Sequence, residues 1–507
     1  MIRILTAPQL KEVDARTVKE QGISSLELME RAAGAAALYI LEHFPAGKVY
    51  VFAGHGNNGG DALAVARMLG ERGRDVEAYL FNTSGYLSAD CAANKARLQQ
   101  TEGVAFQEIT AQFEPPTIEA DALIVDGLFG TGVTKPLTGG YAVLVKFLNA
   151  SPAKIVSLDM PSGLMCEDNT YSVRAHIVRA DVTLTFQLPK LAQLLADNAD
   201  NVGRLEILNI GLSPEAIADA PTEFCISERA DILPLLKPRP PFGHKGTFGH
   251  ALLVCGSEGM AGAAILCARA CLRSGVGKTT IHSARCNTLP LQTAVPEAVL
   301  LPDSKEHFIS EAIPTDNYQA VAIGPGIGTA RETSIAFIEQ VRHSRQSLLI
   351  DADGINILAE HKGWIQQIPA DTILTPHPGE FRRLGIKSVD PFSALVEARE
   401  MAQQNSLYIV LKGRYTAICA PNGQTYFNPT GNSGMGTAGS GDVLTGVITS
   451  LLAQRYNPLD ACRIGCYVHG LAGDIAARRY GEISLTASDI IEALPGAFQE
   501  LGGEISR

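Results

Sequence analysis

Residues 49–73 read VYVFAGHGNNGGDALAVARMLGERG, and their rhythm decides the fold. Val49–Ala53 is a short apolar strand. GHGNNGGD is a turn of small residues, and ALAVARMLGERG has helical apolar spacing. The unit recurs downstream. VEAYLF at 76–81 reads as the next strand. ALIVD ends at Asp126 before GLFGTG, KIVSLD ends at Asp159 before MPSG, and VTLTFQ at 182–187 is a further strand. This alternation predicts a mostly parallel sheet with helices on both faces and ligands beyond the carboxyl ends of the strands. Upstream, residues 9–20 alternate in a helical way, and Ser24 and Ser25 cap a helix over about 26–43.

The rhythm breaks near 210–245, where LLKPRPPFGHKGTFGH is rich in Pro, Gly and Lys. A second series then starts at HALLVCGS and runs through AVAIGPGIG, SLLIDADG, TILTPHPGE and YIVLKGRYTAICA to GNSGMGTAGSGD. A chain of 507 residues needs more than one core. The expected domains are 1–220 and 221–507.

Composition narrows the partners. The net charge is −11 and no basic stripe is visible, which argues against a nucleic-acid binder. Local backbone N–H groups can still hold a nucleotide's phosphates. The ten cysteines form no CxxC pair. Cys267/Cys271 and Cys462/Cys466 are spaced for helix packing, and the set fits a reducing compartment. The opening MIRILTAPQLKEVDART is too charged for a signal core, no apolar run reaches 18 residues, and the closing GGEISR shows no anchor. The expectation is a cytoplasmic homo-oligomer acting on small molecules, with no nucleic-acid or membrane partner.

Three motifs of the first domain follow separate strands. In Gly54–Asp61 the glycines permit close anion approach, and Asn58 offers a carbonyl oxygen to a cation or hydroxyl. Asp61 is either a ligand or a helix cap. Asp126–Gly132 and Asp159–Gly163 each add an aspartate, and together the three point to one converging pocket.

The strongest motif of the second domain is Gly431–Asp442. Its small residues lead into the apolar helix VLTGVITSLLAQ, whose N-terminal amides favour phosphate oxygens. Asp442 at that end can take a hydroxyl proton while the amides stabilise a transferring phosphoryl group. His377, between two prolines, is either structural or binding. Lys412 is either a solvated charge or a phosphate contact.

GHGNNGGDALAVAR, VDGLFGTGV and SLDMPSG resemble the NAD(P)H-hydrate epimerase family, which interconverts R and S hydrates of NADH and NADPH on a Rossmann-like fold with bound potassium. The resemblance implies Asn58, Asp126 and Ser162 as potassium ligands. It implies Asn57, Asn58, Gly59, Gly60 and Asp61, with Gly130, Thr131, Gly132, Val133, Thr134, Lys135 and Pro136, as contacts to the hydrated cofactor, and Asp159 as the group nearest the chemistry. The family pattern reads NNGGDG, whereas Ala62 follows Asp61 here, a methyl group that could tighten the turn without abolishing binding.

HKGTFGHALLVCGS, GMAGAA, IGPGIG, LIDADG, LTPHPGEF, LKGRYT and GTAGSGDVLTG resemble the ribokinase-like superfamily, and within it the NAD(P)H-hydrate dehydratase family. The implied fold is two three-layer αβα domains, Rossmann-like then ribokinase-like. Members restore NADH or NADPH from the S hydrate while splitting a nucleotide: bacterial ones convert ADP to AMP, and eukaryotic relatives use ATP. By the same resemblance Ala263, Gly326, His377 and Asp442 surround the hydrate. Lys412, Gly413, Arg414, Tyr415, Thr416 and Gly441 hold the adenine nucleotide, and Asp442 is the base. The family loop reads closer to GMATGGSGD where this chain has GMGTAGSGD; both changed residues are small. No dedicated magnesium cage is legible, so Mg2+ would arrive with the nucleotide and keep several waters. The competing reading is a ribokinase-like small-molecule kinase with a non-catalytic N-terminal binding domain.

Overall fold

The computed structural model describes residues 1–385 and 389–502; the end of the GGEISR segment, 503–507, lies outside them. The chain divides into two compact units, Arg3–Thr222 and Glu223–Arg507, with Met1–Ile2 grouped with the latter.

Strands are numbered along the chain, from β1 (Ile2–Ile4). The first unit holds β2 (Val49–Ala53), β3 (Val76–Phe81), β4 (Val104–Ile109), β5 (Leu123–Gly127), β6 (Lys154–Leu158), β7 (Val182–Phe186) and β8 (Arg204–Leu208). They form one sheet in the order β4-β3-β2-β5-β6-β7-β8, every pair parallel. Alternation along β2 explains the layers. Val49, Val51 and Ala53 pack with Ala33, Ala36 and Ile40 of helix Ser25–His43 and with Leu63 and Val65 of helix Asn57–Gly70. Tyr50 and Phe52 pack on the other face with Leu144 and Leu148 of helix Gly139–Ala150. Strand order reverses between β2 and β5, so the crevice for a ligand opens where GHGNNGGD and DGLFGTG leave the sheet.

The second unit adds β9 (Phe224–Ile226), β10 (His250–Val254), β11 (Lys278–Ser283), β12 (Val299–Pro302), β13 (Ala320–Ile323), β14 (Ser347–Ile350), β15 (Ile373–Leu374), β16 (Tyr408–Leu411), β17 (Ala417–Cys419) and β18 (Thr425–Phe427). Its own strands follow the order β9-β18-β17-β16-β15-β14-β13-β10-β11-β12. The run from β16 to β12 is parallel, and β17 is antiparallel to both of its neighbours. Here the order reverses between β10 and β13, beside Gly256 and Gly324. Helices Ala261–Arg273, Ser440–Ala453 and Pro458–Tyr480 share one core with inward residues of this sheet, including Ala251, Leu253 and Ala322. All ten cysteines are free, and Cys267, Cys271, Cys462 and Cys466 are buried on helices. Among the described residues, no helix is long and apolar enough to cross a membrane.

Candidate active sites

In the first unit the loop after β5 is the hub. Asp126 is fully buried. Its Oδ1 accepts from Ser162 Oγ at 2.6 Å and the Leu128 amide at 3.3 Å; its Oδ2 accepts from Ser157 Oγ at 2.7 Å and the Ser162 amide at 2.9 Å. Burial pushes the carboxyl above its usual value, and these donors oppose the rise. Ser162 Oγ also accepts from the Phe129 amide at 2.9 Å. Asn58 is buried against the same loop: a Cβ on Gly130 would lie 3.2 Å from its Oδ1. The Asn58 side-chain nitrogen has no hydrogen-bond partner, so its carboxamide is held there unsatisfied. The oxygen types around this loop are those a hard cation takes, but the Asp126 oxygens are occupied by four donors and the unpaired Asn58 atom is its nitrogen, so a cation there would have to displace donors from Asp126. Gly59 meets a separate demand, because a Cβ there would strike the Gly54 carbonyl at 1.7 Å. Gly60 packs on Met29, Asn57 is exposed, and Gly130–Pro136 is an irregular, partly exposed loop.

Asp159 follows β6 with φ 63°, a left-handed conformation that costs a residue with a side chain. Its surroundings enforce it. The Asp159 amide donates to the Leu184 carbonyl at 2.8 Å, and its own carbonyl accepts from Gln193 Nε2 at 2.8 Å. Its Oδ1 accepts from the Phe186 amide at 3.2 Å and from the Lys190 ammonium. Lys190 is 1% exposed and also donates to Thr185 Oγ1 at 2.8 Å. Asp61 and Asp14 share this field. Burial, then the negative charge of Asp159, pushes Asp61 well above the carboxylate range. The same causes raise Asp14 to about 6, with Lys190 opposing. Sequence reasoning missed Lys190, Asp14 and Gln193.

In the second unit, helix Ser440–Ala453 starts after Gly439, which has φ 87°. Gly441 and Asp442 lie in its first turn, where a helix has no internal acceptor for their amides. The earlier part of the glycine stretch is tied down: Asp474 accepts from the Gly431 amide and from Asn432 Nδ2, both at 2.9 Å. Asp442 is raised to about 7 by burial first and then by Asp351, against Lys412, with Asp353 and Glu380 adding to the rise. Lys412 Nζ donates to Asp351 Oδ1 at 2.9 Å and lies 3.9 Å from Glu380 Oε2. Burial opposes its charge, but Asp351 and Glu380 win and hold the ammonium above its ordinary value.

His377 caps helix Pro378–Arg383. Its Nδ1 accepts from the Gly379 and Glu380 amides at 2.9 and 3.3 Å, and its Nε2 lies 3.4 Å from Glu380 Oε1. The structural alternative for His377 is therefore real, and the half-exposed ring still borders the Glu380–Lys412 pair. Gly326, at φ 62°, closes on Ala263: a Cβ there would lie 3.1 Å from the Ala263 methyl. The Gly328 amide donates to Asp353 Oδ2 at 2.9 Å, which ties this loop to the strand end carrying Asp351. Gly413–Thr416 is a tight turn in which Thr416 Oγ1 donates to the Gly413 carbonyl at 3.0 Å, and Arg414 stacks over Tyr415. Asp351 and Thr445 were given no role from sequence.

Known proteins resemble this chain in both of its parts. Residues 251–496 match the family model described as NAD(P)H-hydrate dehydratase, and residues 25–192 match that of the YjeF-related protein N-terminus. A Thermofilum pendens protein called bifunctional NAD(P)H-hydrate repair enzyme Nnr is 34% identical over 99% of this chain and 97% of its own length. The chain belongs to the bifunctional NAD(P)H-hydrate repair enzyme family. The Escherichia coli enzyme of the same name is 33% identical, covering 93% of this chain and 89% of its own. Among solved structures, the ADP/ATP-dependent NAD(P)H-hydrate dehydratase of Bacillus subtilis, co-crystallised with ATP/Mg2+, is 29% identical. It covers 55% of this chain and all of its own, with a TM-score of 0.48. Within the family pattern, Ala62 is a departure the fold absorbs. Its buried methyl faces Gly127, where a Cβ would approach it to 2.4 Å, so it fills the helix–sheet contact.

Proposed function

We propose that this chain repairs hydrated NADH and NADPH, with residues 1–220 as epimerase and 221–507 as dehydratase. The observation that carries the reading is Asp442, a carboxyl raised to about 7 in the first turn of a helix, in a chain whose full-length relatives bear the repair-enzyme name.

In the dehydratase, Lys412–Thr416 and Gly441 hold the adenine nucleotide, and Ala263, Gly326 and His377 border the hydrate. Asp442 takes the proton of the hydrate hydroxyl as that oxygen bonds to the nucleotide's terminal phosphorus, and the bridging P–O bond breaks to release AMP from ADP. Phosphate is then a good leaving group. The ring nitrogen's lone pair expels it, and loss of a proton from the adjacent carbon restores the double bond. The co-substrate is ADP or ATP, and Mg2+ travels with the nucleotide.

In the epimerase, residues 57–61 and 130–136 contact the hydrated cofactor, and Asp159, steered by Lys190, moves a proton at the hydrated carbon's hydroxyl or at the neighbouring ring nitrogen. Asn58, Asp126 and Ser162 would hold potassium, which would offset phosphate charge beside the loop. The ten free cysteines support a reducing, cytoplasmic setting.

Separated R and S hydrates, supplied with ADP or ATP while reduced-cofactor absorbance and AMP are followed, test this reading. The isolated span 221–507 should recover S alone, and the whole chain both. A stable phosphoester without recovered NADH would favour the small-molecule kinase instead. R hydrate bound but never converted would reduce the first unit to a binding module.

A further inference from the structure

Asp351 is 1% exposed, and each of its carboxylate oxygens is claimed by a different element. Lys412 Nζ, just after β16, donates to Oδ1 at 2.9 Å. Thr445 Oγ1 donates to Oδ2 at 2.6 Å. Thr445 lies three residues beyond Asp442 on the same helix, so the two side chains share one face. The Lys412 ammonium lies directly against the helix start: a Cβ on Gly441 would be 3.3 Å from Nζ and 3.9 Å from Asp351 Oδ2. A buried carboxylate thus grips at once the lysine beside the glycine turn and the helix that presents Asp442.

We propose that Asp351 is a positioning residue of the dehydration reaction: through Thr445 it fixes the face that presents Asp442, and through Lys412 it seats a cation beneath Gly441. This inference rests on the reading of Asp442 as the base. It goes further by assigning the tuning of that base to a pair that need not touch the hydrate.

The sign of the effect follows from the charges that face Asp442. Asp351, Asp353 and Glu380 disfavour its ionised form, and Lys412 favours it. The Cys255 and Cys267 thiols also border it, and burial keeps both protonated. No other residue of its own helix is charged, and His469 beside Ser440 is held neutral, lowered by burial to about 4. Removing Asp351's charge leaves Lys412 without its partner and makes Asp442 easier to ionise. Removing Lys412's charge does the reverse.

The test is the acid limb of kcat/KM for the S hydrate at saturating ADP, in the full-length chain, with a melting scan for each variant. Asp351→Asn should move that limb to lower pH by about one unit, and Lys412→Met to higher pH by about one unit. The double variant, in which neither charge is left unpaired, should return to within about a third of a unit of wild type. If one single variant fails to fold, the other measured against the double decides. Singles that shift the same way, a folded single whose limb does not move, or a double that stays with its surviving single would overturn the assignment. Asp442→Asn in the same assay separates the two levels. Its full activity would sink the base reading itself, whereas its inactivity beside an unmoved Asp351→Asn profile would sink only the positioning role.

Discussion

The two sites treat their carboxylates in opposite ways. In the first unit Asp126 is saturated by four donors and Asp159 is clamped by Lys190 and the Phe186 amide. In the second unit no described residue donates a hydrogen bond to the Asp442 carboxylate, and the satisfied carboxylate is Asp351, one step behind it. The difference matches two tasks. A clamped acid has a fixed aim and suits a site where one proton is moved in place at the hydroxyl or ring nitrogen beside the hydrated carbon. An acid without donors, desolvated near neutral pH, keeps both lone pairs for an incoming hydroxyl and is a stronger base when ionised.

The contrast breaks first at Asp442. Asp442→Asn should lower kcat for S-hydrate dehydration by about a thousandfold, within the range for loss of a general base, and leave R-to-S conversion untouched. Steady-state rates from the separated hydrates measure both. A loss below tenfold would mean that the clamped and the free carboxylate are not functionally different.

Asp159 sharpens the contrast because its clamp has a second consequence. Asp159→Asn should cut epimerisation by about a hundredfold. It also strands the Lys190 ammonium, which is 1% exposed, and breaking such a buried pair costs about 3–5 kcal/mol. Asp159→Asn combined with Lys190→Met should regain most of the lost melting temperature and none of the turnover. Turnover that returned along with stability would make the pair a structural feature alone.

How much of this was legible in the sequence follows from chain separation. Strands β2, β5 and β6 each end at a break in the apolar rhythm where Asn58, Asp126 and Asp159 sit, and Asp442 ends the glycine run that opens helix Ser440–Ala453, so all four could be picked out locally. Their partners could not. Lys190 meets Asp159 across 31 positions, and Asp351 meets Lys412 across 61 and Thr445 across 94. Only the register of parallel strands brings them together, and no local pattern encodes that register. The three-residue strands β1, β9 and β18 were not read because so short a run shows no periodicity, and β4 and β8 were not read either. His377 was left open between two readings, and its capping bonds account for Pro378 at the first position of the helix.

A smaller effect lies in the pH dependence of stability. Asp442 binds its proton up to about 7 in the folded chain but only to about 3.8 unfolded. Between those values the folded state holds more protons, so this group weakens folding as pH rises from 4 to 7. Asp442→Asn lacks that slope. Its stability relative to wild type should therefore grow across the window, by on the order of 2 kcal/mol after allowing for solvent access. Thermal or urea melts at pH 4.5 and 7.5 give the difference, and a gap that shrank with rising pH would contradict the desolvated carboxyl.

The smallest effect tests whether a departure from the family pattern touches the site at all. Ala62 is buried in helix Asn57–Gly70, and its methyl occupies the space left by Gly127. Restoring the family's glycine by Ala62→Gly deletes that contact and places a third glycine beside Gly59 and Gly60, at a cost of about 1 kcal/mol in helix propensity. The turn itself is set by Gly59 against the Gly54 carbonyl and by Asn58 against Gly130, neither of which the methyl reaches. Melting temperature should therefore fall slightly while KM and kcat for epimerisation stay within twofold, about the scatter expected for a change outside the pocket. A gain in hydrate affinity would show instead that the methyl narrows the crevice, and the clamped site would then owe part of its rigidity to Ala62.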